Sequence, residues 1–152
     1  MTVGLYNKYA ARFSEILYRG LLPGHRPSQE DGLQTYAIVL EACRNVLYRK
    51  GPNRLEEDEL EGLVLGAGDK FTVYNGYLAT KIAPVRVLDR IKMDGNETLG
   101  HRTREIVAKA RKAAIAGSAQ EEIRDELNKE WEWWEGKRVE ITREGAQPGR
   151  RK

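Results

Sequence analysis

Apolar positions in the first half of the chain recur with the period of a helix. Leu5, Tyr6, Tyr9, Phe13, Ile16 and Leu17 fall on one stripe that Gly20 and Pro23-Gly24 interrupt, which predicts an amphipathic helix over residues 4–21. After a loop at residues 24–28, Ser28 followed by Asp31 reads as an N-cap, and a long helix is predicted to about Lys50. Leu33, Tyr36, Ala37, Leu40, Cys43 and Leu47 share one face of it, while Ile38, Val39, Ala42 and Val46 make much of the remainder apolar. A helix that is greasy on nearly all sides belongs at the centre, with others packed around it. Gly51-Pro52 is predicted to end it, Gly as a left-handed cap and Pro as a block to continuation.

Asn53 is predicted to cap a third helix carrying Leu55, Leu60, Leu63 and Val64, with Glu56, Glu57, Asp58 and Glu59 complementing the dipole of its first turn. The glycines Gly62, Gly66 and Gly68 precede Asp69-Lys70 without the Gly-Lys-Ser/Thr of a phosphate loop, so they read as a flexible helix end. Residues 71–74 and 77–82 flank Asn75-Gly76, the pair that tolerates a type I′ turn, and predict a β-hairpin. An isolated hairpin is marginal in water, so it either packs on the helices or is extended by Val85-Arg86-Val87-Leu88 beyond Pro84; residues 77–92 also admit a helical reading. Asp94-Gly95-Asn96 is a turn between a body, residues 1–95, and a C-terminal helical pair, residues 98–136.

In that pair, Thr98 or Thr103 starts a helix that Gly117 stops after Ala116, and Ser118 with Glu121 forms a capping box for the next. At about 100° per residue, Ile123, Leu127 and Trp134 lie on one line with Trp131 and Trp133 to either side, so three Trp side chains cover a broad apolar arc. That arc is either core or a contact with another subunit. Residues 137–143 alternate charged and apolar positions and predict a short edge strand, and residues 144–152 a disordered basic tail. The fold class is therefore mainly α: one compact helical domain over residues 1–143, with a small β-hairpin and a C-terminal helical hairpin.

Composition adds constraints. With 152 residues and 40% apolar content the chain can bury a core without metal or disulfide support. Its one cysteine, Cys43, excludes an internal disulfide, reads as a buried inert thiol and suits a reducing compartment. No apolar run approaches the roughly 20 residues of a membrane span, and the N-terminal stretch lacks the apolar centre of a signal peptide, so a cytoplasmic protein without membrane contact is expected.

Charge changes the picture more. The net charge is only +3, but residues 54–69 carry one positive and six negative side chains and residues 113–136 two positive and seven negative. Residues 101–112 hold five positive charges against Glu105, and residues 137–152 six against Glu140 and Glu144. Arg102, Arg104, Lys109, Arg111, Lys112, Lys137, Arg138, Arg150, Arg151 and Lys152 are thus the candidate contacts to a DNA or RNA backbone, since cations that neutralise phosphates supply salt-sensitive affinity. Trp131, Trp133 and Trp134 are the candidate partner interface of a homo-oligomer.

Glu122-Ile123-x-x-x-Leu127-Asn128 resembles the first helix and turn of the helix-turn-helix family, which implies a DNA-binding regulator. Arg124 and Lys129 stand where that family has a small and an apolar residue. With the turn at Gly117 instead, residues 119–135 would be the recognition helix, and Glu121, Glu122, Asp125, Glu126, Glu132 and Glu135 would face phosphate with the wrong sign.

Catalysis has a thin inventory: His25 in a Gly-His-Arg-Pro loop, His101 among arginines, Cys43, and a carboxylate-lysine set through Glu59, Asp69 and Lys81 that a chain this charged supplies by chance. The function expected is non-enzymatic, with no cofactor, metal or small-molecule substrate: an oligomeric accessory protein touching nucleic acid, with a purely structural assembly subunit and a helix-turn-helix regulator as the alternatives.

Overall fold

The structure, a computed structural model, describes residues 3–17, 24, 26–66, 73–74, 79–80, 83–117 and 120–146. Its elements are α1 (Val3–Leu17), α2 (Gln29–Tyr48), a short 3-10 turn (Gly51–Asn53), α3 (Glu57–Leu65), β1 (Val73–Tyr74), β2 (Ala79–Thr80), α4 (Pro84–Leu88), β3 (Lys92–Asp94), β4 (Glu97–Thr98), α5 (Leu99–Ala116) and α6 (Gln120–Ala146). The fold is mainly α with small antiparallel sheets, as the pattern predicts.

α2 is the axis of the molecule. Leu33, Tyr36, Ile38, Val39, Leu40, Ala42, Cys43 and Val46 are all buried, so apolar residues all round the helix are covered, and α1, α3, α5 and α6 each pack against it. It begins as predicted, with the Asp31 N–H donating to Ser28 Oγ at 2.9 Å. It ends at Tyr48, with Arg49 rather than Gly51 as the cap residue. The turn beyond is fastened by buried Asn45, whose Nδ2 donates to the Asn53 carbonyl at 3.0 Å and whose Oδ1 accepts from the Leu55 N–H at 2.7 Å. Arg54 Nε donates to the free Val46 carbonyl at 2.9 Å, satisfying one of the acceptors a helix end leaves open.

Asn53 sits in that turn, so it does not cap α3. Glu56 does, in a reciprocal capping box with Glu59, whose carboxylate accepts from the Glu56 N–H at 2.9 Å. A run of four acids hides which of them is the cap. α3 stops at Gly66, which takes the left-handed conformation at φ +78.

β1 pairs antiparallel with β2 in the register Val73↔Thr80 and Tyr74↔Ala79, the hairpin predicted around Asn75-Gly76; those two turn residues lie outside the described ones, as do Gly68, Asp69 and Lys70. Val85–Leu88 does not extend that hairpin. It is α4, with Pro84 at its first turn, where a fixed φ and a missing N–H are no handicap, and with Pro84, Val85, Val87 and Leu88 buried. The Val-Arg-Val alternation imitates a strand only because Arg86 happens to be the exposed position. The turn at residues 94–96 belongs to a second ladder, β3 with β4, that the pattern does not predict.

α5 starts at Thr98, whose Oγ1 accepts from the His101 N–H at 3.2 Å, and ends at Gly117, at φ +68. Ile106, Val107, Ala110 and Ala113 bury its inner face, and α2, α3, α4 and α6 all pack on α5. Ser118 lies outside the described residues. α6 then runs unbroken to Ala146, about 40 Å at 1.5 Å per residue. Residues 137–143 are therefore helix and not an edge strand, and the stretch expected as a tail begins inside α6; residues 147–152 lie outside the described ones. Gly136 does not break the helix, because a single exposed Gly costs only about 1 kcal/mol relative to Ala. Among the described residues no helix is long and apolar enough to cross a membrane.

Two glycines in helices separate packing from propensity. A Cβ at Gly100 would overlap the Asp89 carboxylate and lie 2.8 Å from the Asp89 backbone nitrogen, whereas one at Gly136 meets nothing within 4 Å. Gly100→Ala is expected to lower stability in urea unfolding by about 1–3 kcal/mol through overpacking, and Gly136→Ala to raise it by up to about 1 kcal/mol through helix propensity.

Candidate nucleic-acid interface

The cations singled out on α5 are nearly all engaged by carboxylates of the same chain. Arg102 lies between α2, α5 and α6: its Nη1 donates to Glu130 Oε1 and Oε2 at 2.8 and 3.0 Å, and its Nη2 to Glu97 Oε1 at 3.1 Å. Its guanidinium also stands 3.8 Å from the centroid of the Trp133 ring. The hydroxyl of fully buried Tyr36 donates to the same Glu130 Oε1 at 2.5 Å. Burial first, then this bond to a carboxylate, push the Tyr36 phenol well above its usual range, so it stays a donor. Arg104 pairs with Asp89 at 2.5 and 2.9 Å, Arg111 with Asp58 at 2.9 Å and Glu61 at 3.8 Å, and Lys109 with Glu126 at 3.4 Å. Lys112 is exposed and takes no carboxylate among the described residues.

Beyond α5, Lys137 joins Asp94 and, at 3.5 Å, Glu140. Arg138 is exposed and stands 5.4 Å from the Trp134 ring centroid. Arg150, Arg151 and Lys152 lie outside the described residues.

The Trp arc is directed inward along the seam of α2 and α6. Trp134 Nε1 donates to the Leu33 carbonyl at 2.7 Å, and Trp133 Nε1 to Asp94 Oδ2 at 3.1 Å. Trp131 meets Trp134 edge to face at 5.3 Å, and Tyr36 meets Trp133 in the same way at 5.8 Å. All three are half-buried and pack against the core. The Trp133 and Lys137 contacts to Asp94 also pin α6 to the β3–β4 hairpin.

A second group of arginines is held differently, and the charge runs do not reveal it because it assembles from α2 and the start of α6. Arg44 donates through Nη2 to Asn128 Oδ1 at 3.2 Å and stands 5.6 Å from the Trp131 ring centroid. Arg124 stands 5.1 Å from the Tyr48 ring centroid. Arg49 is exposed at the end of α2. Among the described residues none of these three has a carboxylate partner. They border two concavities that meet at Arg44 and Tyr48: one of about 240 Å³ lined also by Arg124, Leu127 and Asn128, and one of about 360 Å³ lined also by Tyr9, Glu41, Asn45 and Arg49. Glu41 is itself engaged by Arg12, at 3.3 and 2.8 Å. The sequence signal for this group was slight: Arg124 stood out only as a departure from the helix-turn-helix pattern.

The residues considered for catalysis are scattered. Cys43 is fully buried and its thiol is pushed up to about 12 by desolvation, which makes thiolate chemistry inaccessible in the folded state. His101 is exposed on α5, 3.5 Å from Glu105; Glu59 accepts from the Glu56 N–H in the capping box of α3; and His25, Asp69 and Lys81 lie outside the described residues. No three of the described His, Cys, Asp and Glu residues converge on a point where a metal ion could be held. No protein-family model, no curated protein and no solved structure matches this chain.

Two outcomes follow from the pairing. Arg102→Ala strands the Glu130 carboxylate in a largely buried site and should lower stability by about 3–5 kcal/mol, whereas Arg104→Ala breaks an exposed pair and should cost less than about 1 kcal/mol; urea titration of both checks it. The Lys137 hydrogen bond, and after it Trp133, hold Asp94 below the ordinary carboxylate range despite an opposing burial effect. A carboxyl lowered on folding contributes stability that is complete above its unfolded value and is lost as pH falls through the folded one. Protection factors of amides in the second half of α6, taken against the intrinsic exchange rate at each pH, should therefore fall on acidification below the ordinary Asp range, and Asp94→Asn should blunt that change.

Proposed function

We propose that this protein is a non-enzymatic binding module that contacts nucleic acid phosphates through the arginines over the second half of α2, rather than through the basic face of α5. The observation that carries this is the contrast in how the arginines are held. Arg102, Arg104 and Arg111 are paired with carboxylates within the fold, while Arg44, Arg49 and Arg124 have no carboxylate partner among the described residues and border an open trough. A phosphate reaching α5 has to displace an internal carboxylate; at Arg44 it displaces only water and an amide contact. Arg138 and the basic residues 150–152 remain in the proposal as supplementary contacts.

The helix-turn-helix alternative gains no support from the placement of α6, which lies along α2 with Trp134 and Leu127 inward and Glu121, Asp125 and Glu132 exposed. Homo-oligomer formation is a separate proposal, supported by the half-exposed Val139 at the far end of α6 more than by the Trp arc. Cytoplasmic residence belongs to the same reading.

Three phosphate contacts on a single strand give a log–log salt slope of about −2, so affinity for a labelled oligonucleotide should fall about 20-fold between about 50 and about 200 mM salt. Arg44→Glu and Arg124→Glu should each weaken binding about tenfold at low salt. Arg104→Glu, which changes a cation already paired, should do so by less than about twofold. Equal effects from all three substitutions would refute the assignment to α2.

A further inference from the structure

We infer that the trough across α2 takes single-stranded nucleic acid in preference to duplex, with Arg124 on Tyr48 and Arg44 on Trp131 acting as stacking platforms for bases as well as contacts for phosphate. The inference rests on the nucleic-acid reading above and goes further in naming the form of the ligand.

Two features lead to it. First, the guanidiniums of Arg44 and Arg124 stand over aromatic rings, 5.6 and 5.1 Å from the centroids, with Arg44 also donating to Asn128, and neither takes a carboxylate among the described residues. A planar cation lying on an aromatic side chain offers its outer face to a base and its edge N–H groups to a phosphate at once. Bases are available for that only when they are unpaired, because a duplex keeps their faces inside its own stack.

Second, the trough is fenced on its α6 side. At about 100° per residue, Glu121, Asp125 and Glu132 fall on α6 within about 100° of Arg124, toward solvent, and all three are exposed. A duplex is a stiff rod with phosphates along both strands, and seating one strand on Arg44 and Arg124 brings the other strand's phosphates over that acidic row. A single strand bends within a few nucleotides and follows the arginines across α2 toward Arg49. Glu41, the one carboxylate among the described residues that line the trough, is already paired with Arg12.

The experiment is fluorescence anisotropy on the full chain with an oligothymidine of about 12 nucleotides, within the 4–16 nucleotide range of small single-strand binders, and with a duplex of the same length, both at low salt. Arg124→Lys is the diagnostic variant, since it keeps the charge and removes the planar stacking surface. It is exposed, and a melting temperature equal to that of the parent chain verifies that the fold is intact. The expected result is at least about tenfold tighter binding of the single strand, with Arg124→Lys weakening single-strand binding about fivefold and leaving duplex binding unchanged. Duplex binding as tight as single-strand binding, or an Arg124→Lys variant indistinguishable from the parent on the single strand, overturns this inference and leaves the nucleic-acid reading in place. Absence of salt-sensitive binding to either probe overturns both.

Discussion

A carboxylate in a largely water-excluded place decides how the second half of this molecule is arranged. The carboxylate of Glu130, on α6, is met from two directions, by the Arg102 guanidinium from α5 and the Tyr36 hydroxyl from α2, which offsets the cost of burying it. An uncompensated charge in that position is worse than several misplaced methylenes, so the three helices have one register in which the knot closes. Trp133 completes it by lying against both Arg102 and Tyr36. Everything further along α6, from the Trp134 bond to Leu33 to the anchoring of Lys137 on the β3–β4 hairpin, follows from where Glu130 is tied.

The same demand for neutralisation sorts the cations. Arginines that join elements, such as Arg102 and Arg104, sit opposite acids and hold the structure together; lines of like charge in sequence become alternating charge in space once α3, α5 and α6 are assembled. Arg44 and Arg124 differ from Arg102 in having a ring contact without a carboxylate partner among the described residues. An aromatic face fixes the orientation of a guanidinium without cancelling its field, and so leaves it able to meet an external anion.

How much of this was legible in the sequence depended on whether the signal was local. The central position of α2 was readable because apolar residues on all sides of a helix leave it no exposed face, and the caps at Ser28, Thr98 and Gly117 were readable because capping is chemistry within a turn. The hairpin around Asn75-Gly76 was readable for the same reason. Residues 137–143 are helix where a strand is expected, and Val85–Leu88 takes the helical one of the two readings its sequence admits; in Val85–Leu88 the alternation fits a helix with Val85, Val87 and Leu88 covered, while in residues 137–143 it fits an exposed helix end. Nothing local distinguishes these cases. The trough is the extreme example: Arg44 and Arg124 are 80 residues apart, and only the docking of α6 on α2, set by Glu130, brings them to the same place.

Cys43 stands at the middle of α2, fully buried, with its thiol held protonated by the surrounding apolar side chains. Because it is the one cysteine in the chain, the molecule carries an internal clock for its own opening. A thiol-specific reagent in excess reacts only when the helices around α2 separate, so the rate of modification counts the excursions of the whole core and is blind to fraying at either end.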